Sequence, residues 1–170
     1  MLRSFPAILF FLSLLGCSPT FNWREARLAD TDLKALLPCK PDHAKRKLPV
    51  AGREVELRIM GCTAGDALFA VSVMDMEDVD QLSAVRQQWQ ASVLSNMKAK
   101  SSEAGTQTIK GAGVPPPLSL SAQGERPDAS PVMLQAVWFT KGKQLFHAAV
   151  YAARLQEQFV GPFFNGLELR

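Results

Sequence analysis

The chain has 170 residues, 47% of them hydrophobic and 21% charged, a balance that suits a globular domain and excludes a disordered, highly charged chain. Its 19 Lys and Arg against 16 Asp and Glu leave a formal net charge of +3, too little to bind nucleic acid through charge. The length is that of one ordinary domain, enough to bury one real core.

The first element is a leader. Met1-Leu2-Arg3-Ser4 carries one positive charge, and Phe5 to Gly16 is uncharged and mostly apolar. A run of about a dozen residues falls short of the roughly 20 needed to cross a bilayer as a helix. Charge, short apolar core and a small residue at the cut site make a secretory signal. The junction Leu14-Leu15-Gly16-Cys17 resembles the lipobox of bacterial lipoproteins. That resemblance implies a signal peptide over residues 1–16, cleavage before Cys17, and palmitate-type acyl chains on the Cys17 thiol and on its new amino group. Two or three long chains anchor a protein firmly, where one myristoyl chain binds only reversibly. Ser18, where an aspartate would imply inner-membrane retention, points by the same resemblance to the outer membrane, facing the periplasm. The residues alone leave open an uncleaved anchor, or an ordinary signal peptide with an incidental cysteine.

Residues 17–32 are expected to be the lipidated N-terminus and a polar, irregular tether, apolar only at Phe21, Trp23 and Leu28, whose aromatics pack back on a single domain over residues 33–170. Fully extended, such a tether reaches only ~50 Å. Leu33 to Leu37 reads as the first strand, ended by Pro38-Cys39-Lys40-Pro41, and Lys45 to Val50 as a second before a turn at Ala51-Gly52. Val55, Leu57 and Ile59 alternate with Glu54, Glu56 and Arg58, which predicts a strand with one buried face. Gly61 to Asp66 reads as a turn, and Ala67 to Met76, apolar on both faces, as a strand inside the sheet.

The clearest helix follows. Val79, Leu82, Val85, Trp89, Val93 and Met97 recur at steps of three and four, with Asp78 as N-cap and Gln81 completing a capping-box pattern. Ala99 to Pro117 reads as a long Gly/Ser/Pro-rich connection holding a brief strand at Thr106 to Ile109. Leu118, Leu120 and Ala122 alternate again, and Pro127 to Pro131 turns the chain. Val132 to Phe139 and Gln144 to Ala153 predict a hairpin around Thr140-Lys141-Gly142-Lys143. Gln156 to Leu169 has helical spacing, but Gly161-Pro162 predicts a start near Val160 or a kink. The sum is an α+β fold: an antiparallel sheet packed against one long and one short helix.

With Cys17 acylated, Cys39 and Cys62 remain as an even pair in an oxidising compartment, which predicts a disulfide; two buried free thiols are the alternative. The order of elements resembles the PsbP-like fold, named after an extrinsic photosystem II subunit and shared by a nuclear transport factor and several bacterial lipoproteins. The residues that carry it are Leu37-Pro38-Cys39-Lys40-Pro41, the helix from Val79 to Met97, and Phe163-Phe164-Asn165-Gly166-Leu167-Glu168-Leu169, so it spans Leu33 to Leu169. The resemblance implies α/β/α layering and accessory or interaction roles, with no shared catalytic site. Asn22-Trp23-Arg24-Glu25 followed by Leu36-Leu37-Pro38-Cys39 is also similar to uncharacterised proteobacterial lipoproteins.

Candidate chemistry is sparse. Lys40, Lys45, Arg46 and Lys47, with His43 among them, form the only basic cluster; it suits contact with an anionic surface, or a lysine-guarded strand edge. His43 and His147 have no spacing that predicts a shared metal, and His147 is expected to be half-buried. Asp75, Glu77, Asp78 and Asp80 lack the glycine and final glutamate of a calcium loop and suit the first turn of a helix. No nucleophile elbow, zinc-protease motif or phosphate loop occurs. The sequence therefore predicts a non-enzymatic envelope lipoprotein without cofactor or metal. Its expected partners are the membrane, through the acyl chains, and an envelope protein of unknown identity. The alternative is a periplasmic carrier of a small ligand or lipid, which needs an apolar cavity between helix and sheet.

Overall fold

Side chains alternate between the two sides of a strand, so a sheet needs a cover on each apolar side. The computed structural model describes residues 20–50 and 52–170 and shows how this chain supplies two unequal covers. The strands are β1 (Arg24–Arg27), β2 (Leu33–Leu37), β3 (Asp42–Val50), β4 (Arg53–Ala64), β5 (Ala67–Asp75), β6 (Ser101–Thr106), β7 (Leu118–Glu125), β8 (Pro131–Lys141), β9 (Gln144–Ala152) and β10 (Glu168–Leu169). The helices are α1 (Leu82–Asn96), entered through a 3-10 turn at Val79–Gln81, and α2 (Glu157–Asn165). The fold is α+β. A seven-stranded antiparallel sheet runs β3-β4-β5-β9-β8-β7-β6, and a small sheet runs β1-β2-β10.

The first face of the large sheet bears Met60, Cys62, Phe69, Val71, Val73, Phe139, Phe146 and Val150. The small sheet, through Leu33, Ala35 and Leu37, and α2, through Phe159, Val160, Phe163 and Phe164, close over it in one core. The second face bears Leu57, Met74, Leu134, Trp138, Leu145 and Ala149. Its cover is α1, whose fully buried contacts are Leu82 and Val85, with Trp89 and Val93 half-buried.

Several expectations are corrected. From Phe21 onward the chain belongs to the domain rather than to a tether. β1 pairs with β2 from Arg24 opposite Leu37 to Arg27 opposite Lys34, and Phe21 and Trp23 stack at 6.1 Å against the first-face core. β4 does not turn at Gly61 but runs on to Ala64, and only Gly65-Asp66 reverses the chain. Its first side is covered from Arg58 to Ala64, where Met60, Cys62 and Ala64 join the core and Arg58 is buried, while on its second side Leu57 faces α1 and Thr63 is exposed. The brief strand of the long connection is β6, Ser101–Thr106, upstream of the expected Thr106 to Ile109. α2 begins at Glu157, not Val160; Pro162 sits inside it and Gly166 closes it by donating to the Pro162 carbonyl at 3.0 Å.

Other elements form where the local chemistry puts them. The Asp78 carboxylate accepts the Asp80 N–H at 2.9 Å and caps the turn that leads into α1; no side-chain bond from Gln81 completes the box among the described residues. β8 and β9 meet in a two-residue turn in which Gly142 takes φ +56°, with Lys141 opposite Gln144. At the other end of α1 the Met97 carbonyl accepts from Glu125 N at 2.7 Å. A Cβ on Gly124 would stand 2.1 Å from that oxygen, so only glycine lets the helix end seat on β7.

Candidate functional site

α1 crosses the second face, its start packed with Leu57, Met74 and Leu145 and its later turns with Leu134 and Trp138, and leaves part of that face beside it open. Two clefts follow its flank and share Val93 and Asn96. The larger, about 450 Å³, lies between the C-terminal end of α1 and the sheet, and is lined by Leu68, Val93, Met97, Val132 and Tyr151 with Thr63, Asp66, Asn96, Glu125 and Arg126 at its polar positions. The second, about 250 Å³, runs toward Leu48, Val50, Met74 and Trp89. Volumes of a few hundred Å³ with a mainly apolar lining suit a small ligand or one chain of a larger one. Leu68 is 44% exposed, unusual for a leucine on an interior strand, and it sits in this wall. Burial pushes the Tyr151 hydroxyl pKa up, so Tyr151 serves as a neutral wall rather than as a base.

Beneath α1, the His147 ring lies 4.5 Å from Trp138 and 5.1 Å from Trp89. It is buried rather than half-buried, and desolvation lowers its pKa to about 3, so it is neutral at any ordinary pH. Neither His147 Nε2 nor Trp138 Nε1 makes a hydrogen bond within the protein.

The residues singled out by sequence fall in separate places. Cys17 and the whole leader lie outside the described residues. Cys39 and Cys62 are joined, with Cα atoms 6.0 Å apart, and tie the approach to β3 onto β4 at the first-face core. Lys40, Lys45, Arg46 and Lys47 do not form one patch. The strand alternation sends Lys45 and Lys47 to one side of β3 and Arg46 to the other, and Lys45 pairs with Glu56 at 3.0 Å and Lys47 with Glu54 at 2.7 Å. His43 is exposed on this edge, on the face opposite to His147. The acidic group is divided as well. Asp75 bonds Arg58 and Gln144, Glu77 pairs with Arg53, and Asp78 is the cap. Among the described residues no group of three metal-ligating side chains forms, and no helix is long and apolar enough to cross a membrane.

No protein-family profile and no curated protein matches the chain. Among solved structures it is similar to a Pseudomonas aeruginosa protein of unknown function, PA94. The identity is 18% and the TM-score 0.36, over 76% of this chain and 82% of that one. At that distance the likeness says nothing about activity.

Two features of the molecule carry no signal in the sequence. One is Arg58, whose position among Glu54 and Glu56 suggests a solvent face. Its guanidinium is instead buried, donating to the Ala29 carbonyl at 2.9 Å and to Asp75 at 2.6 Å, and so it fastens the β1–β2 loop to the large sheet. The other is the cleft itself. Leu68, Val132 and Tyr151 each read as ordinary core, and no local pattern says that α1 fails to cover them.

Proposed function

We propose that this chain is a lipid-anchored protein of the bacterial cell envelope, acylated at Cys17, that acts as a non-enzymatic accessory or interaction module on the periplasmic side of the outer membrane. The observation that carries the reading is the lipobox Leu14-Leu15-Gly16-Cys17, which stands only seven residues before the first strand. The joined Cys39 and Cys62 support it, because such a pair persists in an oxidising compartment. The PsbP-like affinity remains part of the proposal, supported by helices on both sides of one antiparallel sheet. Globomycin treatment is expected to accumulate the uncleaved chain, and Cys17→Ser to abolish palmitate labelling. Labelling that survives the substitution would refute the anchor.

A second reading is favoured by the cleft: a carrier or holder of a small apolar ligand or lipid. Crosslinking in the native envelope separates the two, because a protein partner appears as a discrete adduct in the first and a lipid adduct in the second.

A further inference from the structure

The described chain begins at Thr20, and the place of that residue fixes which end of the domain faces the anchor. Gly65, at φ +56° in the β4–β5 turn, is crowded by the N-terminal segment: a Cβ there would stand 2.8 Å from Phe21 Cζ and 3.2 Å from Thr20 Cγ2. Two residues, Ser18 and Pro19, separate Thr20 from Cys17, so three Cα–Cα steps hold the Cys17 Cα within about 11 Å of Thr20. The same turn carries Asp66, and its neighbours Thr63 and Leu68 line the larger cleft. The rest of the cleft rim gathers at this end too: Met97 at the C-terminus of α1, and Arg126 and Pro127 in the β7–β8 turn. By contrast Lys47, opposite Glu56, lies eight residues of strand from Ala64, about 27 Å away. With Cys17 acylated, the anchor would hold the apolar cleft closer to the bilayer than Lys47.

We infer that the cleft between the end of α1 and β5 takes one acyl chain of a bilayer phospholipid, drawn in at the anchored end. The inference rests on the lipoprotein reading. Leu68, Val93, Met97, Val132 and Tyr151 supply an apolar wall for a hydrocarbon chain, and Asp66, Asn96, Arg126 and Glu125, the last paired with Lys100, are the polar residues left for a headgroup. A tether this short keeps the mouth at the lipid surface, so even weak affinity fills the cleft through effective concentration.

The test uses the full acylated chain, reconstituted in vesicles of phosphatidylethanolamine and phosphatidylglycerol doped with a phosphatidylethanolamine whose acyl tail carries a diazirine. After photolysis, adducts are expected on the peptides holding Leu68, Val93, Met97 or Tyr151. Leu68→Glu, at an exposed position, is expected to lower the yield about tenfold with an unchanged melting curve, and Val93→Gln, at a half-buried position, to lower it about as much with a lowered melting point. If one variant fails to fold, the other carries the measurement. An acylated protein that shows no adduct at the cleft overturns the inference and leaves the anchor standing. Adducts at the cleft from a diazirine fatty acid incorporated at Cys17, with none from the vesicle lipid, overturn it in favour of the protein's own chain. A chain not acylated at Cys17 removes the anchor and the inference together.

Discussion

Phe69 and Leu68 are neighbours on β5 and point to opposite faces of the large sheet. Phe69 is fully buried, with Phe163 at 5.5 Å, Phe159 at 5.8 Å and Trp23 at 6.2 Å edge to face, while Leu68 is 44% exposed in the wall of a cleft. One face is closed by a second sheet, a helix and a covalent bond. The other is closed by a single helix too narrow for it. A seven-stranded sheet is several times wider than one helix of about 10 Å diameter, at ~4.8 Å per strand, so the uncovered remainder is a matter of geometry rather than of poor packing. Both faces bury a core, but the open clefts beside α1 lie on the second.

The largest test of that contrast is the adjacent pair itself. Phe69→Ala is expected to cost about 3–5 kcal/mol, since it empties a fully enclosed site, whereas Leu68→Ala is expected to cost under ~1 kcal/mol. Urea unfolding with an unchanged slope measures both. Comparable losses would mean that the second face is as closed as the first. Next in size is the staple. Cys39 and Cys62 are 23 residues apart, and a loop of that size constrains the unfolded chain by about 3 kcal/mol, so the double Cys→Ala variant is expected to lose roughly that amount in the same assay. A loss near zero would show that the first face holds without the bond.

The elements legible in the sequence were those whose pattern is set locally. The stripe from Leu82 to Met97 gives α1, and the hairpin of β8 and β9 follows from long apolar runs around Gly142. The elements that were not legible take their place from partners far along the chain. β1 reads Arg24-Glu25-Ala26-Arg27 and has no apolar alternation; it is a strand because Leu33 to Leu37 offers it an edge. β6 is exposed at every residue and owes its existence to β7. Arg58 occupies a core-facing position only because the β1–β2 loop brings the Ala29 carbonyl above it. The cysteine pair could be proposed by counting, but the cleft could not, because it depends on how far one helix reaches across a sheet assembled from the whole chain.

The second face also holds the one buried imidazole, which gives a prediction in pH. Desolvation lowers the His147 pKa to about 3 in the folded protein, below the ~6.5 of the unfolded chain. The unfolded state therefore binds the extra proton first, and the stability present at neutral pH is lost as pH falls from about 6.5 toward 3. By pH 5 the loss from this residue is roughly 2 kcal/mol. His147→Phe keeps a ring against Trp138 and removes the proton, so the stability of the variant relative to wild type is expected to rise by roughly 2 kcal/mol as pH falls from about 7 to about 5. A difference independent of pH would mean that the imidazole stays solvated and that α1 does not seal even the part of the face it covers.

The smallest expected effect locates the weakness of that cover. Asp78 caps the turn before α1 through the Asp80 N–H, and its loss to alanine is expected to cost about 1 kcal/mol. Where that cost appears matters more than its size. α1 holds the sheet through two fully buried side chains near its start, Leu82 and Val85, and through half-buried Trp89 and Val93 farther on. A cover attached in this way can lift without disturbing the first-face core, and local openings of this kind have their own free energies below that of global unfolding. Hydrogen exchange in Asp78→Ala is then expected to quicken about fivefold along Leu82 to Asn96, the factor that corresponds to ~1 kcal/mol, with the amides of β5 and β9 unchanged. If the strands quicken equally, helix and sheet open as one unit, and the second face is no more free to admit a partner than the first.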